Sequence, residues 1–294
     1  MSAQDMWPSC VLTPDQFAER VLGQGEAHFR ELPWRFIDDA YGVLVSEVML
    51  QQTQVSRVLV RWPRFMRVFP SIDALAAAAT SDVLAEWQGL GYNRRALALK
   101  RAAELCAANY AGKLPESYGE LLALPGVGPA TAAGVIAFAF NRPSVYVETN
   151  VRAVFLHEVF PDRDQIPDRE IAPLVKLTCP THDPRRWYYA LLDYGAHLKA
   201  TLPNPSRRSA HYAKQSAFEG SRRQKRAELV RIVLAGESVS REKAAAALDE
   251  FERSHGRGPL HPDLFESLVA DLTAEGFFAD EGGVLCVDDT ESEG

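Results

Sequence analysis

No run of apolar residues in this chain of 294 residues approaches the length needed to cross a bilayer. The first residues, Met1-Ser2-Ala3-Gln4-Asp5, lack the basic-then-apolar order of a secretion leader. A cytosolic protein with no membrane partner is therefore expected. Cysteine is scarce: Cys10, Cys106, Cys179 and Cys286 stand far apart and form no Cys-x-x-Cys pair. That spacing argues against a metal or iron–sulfur site and leaves reduced structural thiols. A surplus of positive charge is also missing, the formal net charge being −7. Nucleic-acid binding would have to rest on local basic patches. Strand patterns are nearly absent before residue 275.

What remains is helix. Hydrophobic residues make up 47% of the sequence, enough for a full core and two or three subdomains. Thr13-Pro14-Asp15 opens a helix through Phe17, Val21 and Leu22, and Pro33-Trp34-Arg35 interrupts the pattern. A long helix is predicted from about 40 to 57. Others fit 61–68, 72–78, 81–88, 94–110, 151–160, 170–176 and 184–198. The first two-thirds therefore reads as an all-α domain with short loops. Leu124-Pro125-Gly126-Val127-Gly128-Pro129-Ala130-Thr131 joins helix-forming segments on both sides. Its glycines permit a tight reversal with positive φ at Gly126 or Gly128, and Pro129 suits a first helical position. The product is a helix–hairpin–helix whose amides and positive helix end could seat a backbone phosphate.

Two acids fall in unlike surroundings. Glu47 interrupts the apolar run Val43-Leu44-Val45-Ser46-Glu47-Val48-Met49-Leu50. Burial without a cation would raise its pKa and suit it to general-acid work. Glu148 ends the extended segment Val145-Tyr146-Val147 and precedes the helix expected from Val151, where amides and the helix dipole favour a carboxylate. Capping alone would also explain Glu148, Thr149 and Asn150. A neutral acid beside an ionised one can protonate a leaving group and stabilise a cation at one site.

The segments Ser46-Glu47-Val48-Met49-Leu50-Gln51-Gln52-Thr53-Gln54-Val55, Trp87-x-Gly89-Leu90-Gly91-Tyr92, Leu124-Pro125-Gly126-Val127-Gly128 and Glu148-x-Asn150-Val151 resemble, in order and spacing, the helix–hairpin–helix DNA glycosylases. The similarity is greatest to the adenine DNA glycosylases of the MutY type and spans roughly residues 30 to 200. The resemblance implies two helical lobes with the active site in the cleft between them. By position it makes Glu47 the acid that protonates the departing base. Glu148 takes the place of the aspartate that stabilises the sugar oxocarbenium, and Asn150 that of a residue holding the catalytic water or the carboxylate. Gln51 and Tyr92 match residues that enter the base stack, with Gln52 and Leu90 lining the same surface. Gly126, Val127, Gly128 and Ala130 fall in the DNA-binding hairpin. The partner implied is double-stranded DNA carrying a mismatch or lesion, bound by a monomer.

Four features depart from that pattern. Glu148 is longer than the family's aspartate by one methylene, and a misplacement of about 1 Å can cost about 100-fold. Ala130 stands where lyase-type relatives carry a lysine nucleophile, so hydrolysis without strand cleavage is expected. Adenine-type relatives carry Ser or Tyr there, so a pocket contact is also missing. After Asp193-Tyr194-Gly195-Ala196, where many members bind a [4Fe–4S] cluster through four cysteines, no cysteine follows at the expected spacing. No cofactor is expected. A basic stretch replaces those cysteines, including Arg207, Arg208, Lys214 and 222–226, with Tyr212 and Phe218 interleaved; it reads as a loop against the DNA backbone. Finally, the tail is too short for the Nudix-like domain of adenine glycosylases. Helices near 226–234, 240–251 and 262–275 and a hairpin over 277–287 suggest instead a small winged-helix-like α+β module. The expected division is a glycosylase domain at 1–219, the module at 220–288 and a disordered acidic tail at 289–294.

Monofunctional release of a mispaired adenine is the leading expectation. Release of a mismatched or damaged pyrimidine (uracil, thymine opposite guanine, an oxidised base) is the alternative within the same chemistry. Non-catalytic binding of a DNA structure is the alternative outside it.

Overall fold

The computed structural model describes residues 7–8, 12–214 and 217–287. Cys10 and the acidic tail at 289–294 lie outside the described residues. Helices α1 (Pro14–Ala27), α2 (Ala40–Leu50), α3 (Val55–Val68), α4 (Ile72–Ala76), α5 (Thr80–Trp87) and α6 (Arg94–Asn109) come first. They are followed by α7 (Tyr118–Ala123), α8 (Pro129–Phe138), α9 (Thr149–Glu158), α10 (Asp168–Thr178) and α11 (Pro184–Thr201). The remainder holds α12 (Arg222–Gly236), β1 (Ser238–Ser240), α13 (Arg241–Ser254), α14 (Pro262–Ala274), β2 (Phe278–Glu281) and β3 (Val284–Val287). Two compact units emerge, Met1–Glu47 with Leu114–Lys214 and Val48–Lys113 with Gln215–Gly294. The division expected at 219/220 follows chain order, whereas packing groups the C-terminal stretch with residues 48–113.

In the first unit, α1 starts at a capping box in which Thr13 and Gln16 satisfy each other's amides. Its Phe17 and Val21 are buried with Phe155, Trp187, Tyr188 and Leu191. A second fastening is ionic: the fully buried Asp193 carboxylate accepts from Arg30 at 2.6 Å and from both terminal nitrogens of Arg35 at 2.7 and 2.8 Å. The helix–hairpin–helix is formed by α7, the turn Leu124–Gly128 and α8. Ser117 caps α7, and the Val127 amide closes the turn onto the Leu124 carbonyl. Gly126 alone of the two turn glycines takes positive φ, at 74°, while Gly128 is the extended N-cap of α8.

The second unit buries Trp62, Phe65, Trp87 and Leu99, and in its C-terminal part Leu229, Leu248, Leu268, Phe277 and Leu285. The expected hairpin is β2–β3, but β3 is the middle of three antiparallel strands in the order β1-β3-β2. Strand β1 escaped the sequence reading because three residues between two helices carry no alternation signal.

The predicted helix at 40–57 is broken. It ends at Leu50 and restarts at Val55, with Gln52 in the left-handed region at φ 53°. The cause is Arg95, which is 8% exposed. Its guanidinium donates to the carbonyls of Val48, Met49 and Gln51 at 2.8, 2.9 and 2.7 Å, drawing the end of α2 away from continuation. It also donates to the Thr53 hydroxyl at 2.9 Å and to the carbonyls of Leu90 and Gly91 at 3.2 and 2.8 Å. The loops 51–54 and 88–93 thus share one cation, and burial lowers its pKa to about 10. Removing it would strand several buried carbonyls. Arg95→Ala is expected to lower stability by about 3–5 kcal/mol, read as a shift in denaturant unfolding.

Candidate active site

Glu47 lies in the last turn of α2, among the buried residues Val43, Leu44 and Val45. One oxygen accepts a hydrogen bond from the Tyr146 hydroxyl at 3.3 Å. The carboxyl fits against α8 because residue 134 has no side chain: a Cβ on Gly134 would overlap Glu47 Oε2 and come within 3.1 Å of Tyr146 Cε2. Burial is the main cause that raises the Glu47 pKa to about 8. The Glu148 charge raises it further, and the Tyr146 hydrogen bond works in the opposite direction. Tyr146 itself is held protonated, its pKa pushed up by burial and then by the two glutamates.

A chain of hydrogen bonds fixes that tyrosine. Its amide donates to Tyr188 Oη at 3.3 Å, Tyr188 donates to the Ser144 carbonyl, and Ser144 Oγ donates to the Ala133 carbonyl of α8 at 2.8 Å. The rings of Phe138 and Tyr188 meet Tyr146 edge-on at 5.3 and 5.4 Å.

Glu148 is the N-cap of α9, with Oε1 accepting from the amides of Asn150 at 2.5 Å and Val151 at 3.0 Å. This fold-back sets the carboxylate at the positive end of the helix. Gly195 lets α11 approach that end closely, since a Cβ there would clash with the Asn150 backbone and its Cβ. Asn150 is half-buried beside Glu148. Lys199 feels the Glu148 charge, and burial lowers its pKa. Glu47, Glu148 and Asn150 therefore lie in one unit, where the Glu148 charge reaches Glu47.

Sequence reasoning missed Tyr146, Gly134, Arg35 and Tyr189. The Arg35 guanidinium lies 4.4 Å from the Tyr189 ring centroid, and Tyr189 in turn feels the charges of Arg35 and Glu47. A tyrosine two residues before a candidate carboxylate was the available signal for Tyr146; nothing local marks Gly134.

The candidate DNA-contact residues divide. Gln51, Gln52 and Tyr92 border one cavity in the second unit, and Gly126 and Ala130 are exposed at the hairpin, with Gly128 half-buried. Three placements correct the sequence reading. Leu90 is 2% exposed and offers its carbonyl to Arg95, so it belongs to the core and not to a contact surface. Val127 turns its side chain inward, leaving only its backbone at the hairpin. Arg208, expected on phosphate, donates to the carbonyls of Phe160 and Pro161 at 2.5 and 2.7 Å and to that of Leu156, capping the end of α9. The basic stretch is further consumed by Lys225, buried against Glu252 at 2.6 Å, and by Arg222, paired with Asp271 at 2.6 Å. Arg207 and Lys214 stay exposed.

An iron–sulfur cluster does not fit the residues present. The segment after Ala196 supplies His197 and Lys199 but no cysteine, and no group of three or more His, Cys, Asp or Glu could hold a metal among the described residues.

The helix–hairpin–helix, together with an acid in α2 and a carboxylate capping α9, defines a class of base-excision DNA glycosylases. The family description "HhH-GPD superfamily base excision DNA repair protein" matches residues 45–177. A protein named adenine DNA glycosylase from Mycobacterium tuberculosis is 34% identical over 291 residues, covering 87% of this chain and 93% of the relative. This chain belongs to the HhH-GPD superfamily. Another protein named adenine DNA glycosylase, from Buchnera aphidicola subsp. Baizongia pistaciae, is 31% identical over 172 residues. Here 58% of this chain is covered and 49% of the relative, so the chain spans about half that relative's length. Among solved structures, a thermostable thymine-DNA glycosylase has the same fold with TM-score 0.56 at 23% identity, over 62% of this chain and 86% of that one.

The Glu47 carboxyl is expected to titrate near 8 by carbon NMR of labelled glutamate. Tyr146→Phe removes the hydrogen bond that favours the ionised form, so that midpoint should move up.

Proposed function

We propose that this chain is a monofunctional DNA glycosylase that hydrolyses the N-glycosidic bond of a flipped, mispaired adenine. One observation carries the reading: a carboxyl kept neutral to about pH 8 stands near a second carboxylate seated on a helix N-terminus. Glu47 donates its proton to a ring nitrogen of the departing base as the bond to the sugar breaks. The bonding electrons leave with the base, and the oxocarbenium left on the sugar faces Glu148. Water then adds to the sugar carbon and loses a proton, with Asn150 at hand to orient it.

Specificity for adenine is supported by the names of the two curated relatives. The hairpin supplies a backbone-phosphate seat. Gly128 contributes no side-chain cap to α8 and Pro129 follows it, which suits the positive helix end to an anion. Arg207 and Lys214 add exposed charge, and Gln51 and Tyr92 offset the few kcal/mol that extrusion costs by entering the stack. With Ala130 at the hairpin, water and not an amine is the nucleophile in this proposal.

The test is single-turnover base release from duplexes carrying adenine opposite 8-oxoguanine, adenine opposite guanine, thymine opposite guanine and uracil opposite guanine. Adenine release is expected; release of a pyrimidine alone would move the substrate assignment, and tight binding without any release would make the chain a DNA-structure binder. Glu47→Gln should cut release at least about 100-fold and leave duplex affinity in place. Because the reacting form of Glu47 is protonated, release should fall about tenfold per pH unit above about 8. Borohydride should trap no covalent DNA adduct. An adduct that disappears in Lys199→Ala would give this chain a lyase step from an amine that feels the Glu148 charge.

A further inference from the structure

Residues 48–72 hold arginine at 57, 61, 64 and 67 and neither aspartate nor glutamate, in a chain whose formal net charge is −7. All four arginines fall in α3, which buries Val58, Trp62 and Phe65 on one side. Helical spacing puts Arg57, Val60, Arg61, Arg64, Arg67 and Val68 together on the other. That face is open: Val60 is 72% and Val68 48% exposed, and Arg57, Arg64 and Arg67 are exposed as well. Among the described residues only Arg64 of the four has an acid beside it, Glu86 at 2.6 Å.

The stripe begins where two loops of this unit converge. Arg57 stands in the first turn of α3, directly after the loop 51–54. The Arg61 guanidinium lies against the other loop, since a Cβ on Gly89 would stand 3.3 Å from its Nη2 and 3.7 Å from its Nε. Gly89 takes φ 87°, in the region that favours glycine, and its bare backbone leaves room for that fork. The loops themselves are set: Gln52 at φ 53° and Tyr92 at φ 50° occupy the left-handed region, beside the hydrogen bonds that Arg95 makes.

A polyanion is the partner this face fits. The planar fork of arginine matches phosphate, every cation of the stripe is arginine, and no acid interrupts them. From Arg57 to Arg67 the helix rises about 15 Å, the span of about four phosphates along one DNA strand. We propose that the outer face of α3 is a second backbone seat, gripping the duplex that flanks the lesion through Arg57, Arg61 and Arg67. The inference rests on the glycosylase reading above, which sets Gln51 and Tyr92 in the base stack and so brings the flanking strand to the start of the helix. The hairpin offers amides and a helix end; this face offers side-chain charge, which binding to phosphate would couple to the release of counterions.

The experiment measures affinity for a duplex carrying an abasic site, across a salt series, by fluorescence anisotropy. The wild type is compared with Arg57→Gln, Arg61→Gln and Arg67→Gln combined, and with the same three positions changed to lysine. The glutamine variant should flatten the slope of log K against log salt by about 0.9 per arginine removed. The lysine variant keeps the charge and should keep most of the slope, which separates a lost contact from a helix that no longer folds. Duplexes trimmed to the lesion from one end or the other locate the seat: the difference between wild type and glutamine variant should vanish on one of the two. An unchanged slope, or the same loss on both trimmed duplexes, would overturn the proposal. Polyglutamate bound by the wild type and lost by the glutamine variant, with the DNA slope unchanged, would assign the face to an acidic protein segment and overturn it too. None of these readings requires catalysis. A wild type that releases no adenine while the slope flattens as expected would sink the substrate assignment and keep the seat. Adenine release with no flattening would sink the seat alone.

Discussion

One buried guanidinium sets the shape of the second unit. Arg95 answers carbonyls from the end of α2 and from the loop before α6, and every one of the partners named above is a neutral oxygen. Among the described residues no carboxylate pairs with Arg95, so its charge is left uncancelled beneath the loops that carry Gln51 and Tyr92. A chain with a net charge of −7 can therefore present a local positive field to a polyanion, because electrostatic attraction depends on placement and not on the sum. The same cation holds two residues in conformations they would not choose, which makes the loops rigid before any ligand arrives.

The first unit solves the complementary problem of keeping a proton on a carboxyl at neutral pH. Among the described residues no cation pairs with Glu47; it meets a tyrosine hydroxyl, and that tyrosine is locked by Tyr188 and Ser144. Meanwhile Glu148 spends one oxygen on two amides at the start of α9. Two identical side chains are thereby set in unlike surroundings, one by burial and one by a helix terminus.

Much of this was legible in the residue order because it is local. Helix starts announced themselves through Thr13, Ser117 and Pro129, the hairpin through its two glycines, and Glu47 through an apolar run in which an acid stands out. The break at residues 51–54 was not legible, since its cause lies some forty positions away at Arg95. For the same reason Arg208 and Lys225 read as part of a DNA-facing basic stretch, when long-range carbonyls and a buried glutamate claim them. Leu90 carried a motif and turned out to fill the core. Sequence patterns reveal which groups are present; which of them are already spent is decided by contacts between distant segments.

Gly134 illustrates how narrow the tolerance of such a site is. A Cβ there would overlap Glu47 Oε2, so residue 134 can carry no side chain while the acid keeps its place. Any missense change in the first two letters of a glycine codon installs a side chain, from alanine upward. A single such change would thus press a side chain against the Glu47 carboxyl and displace it.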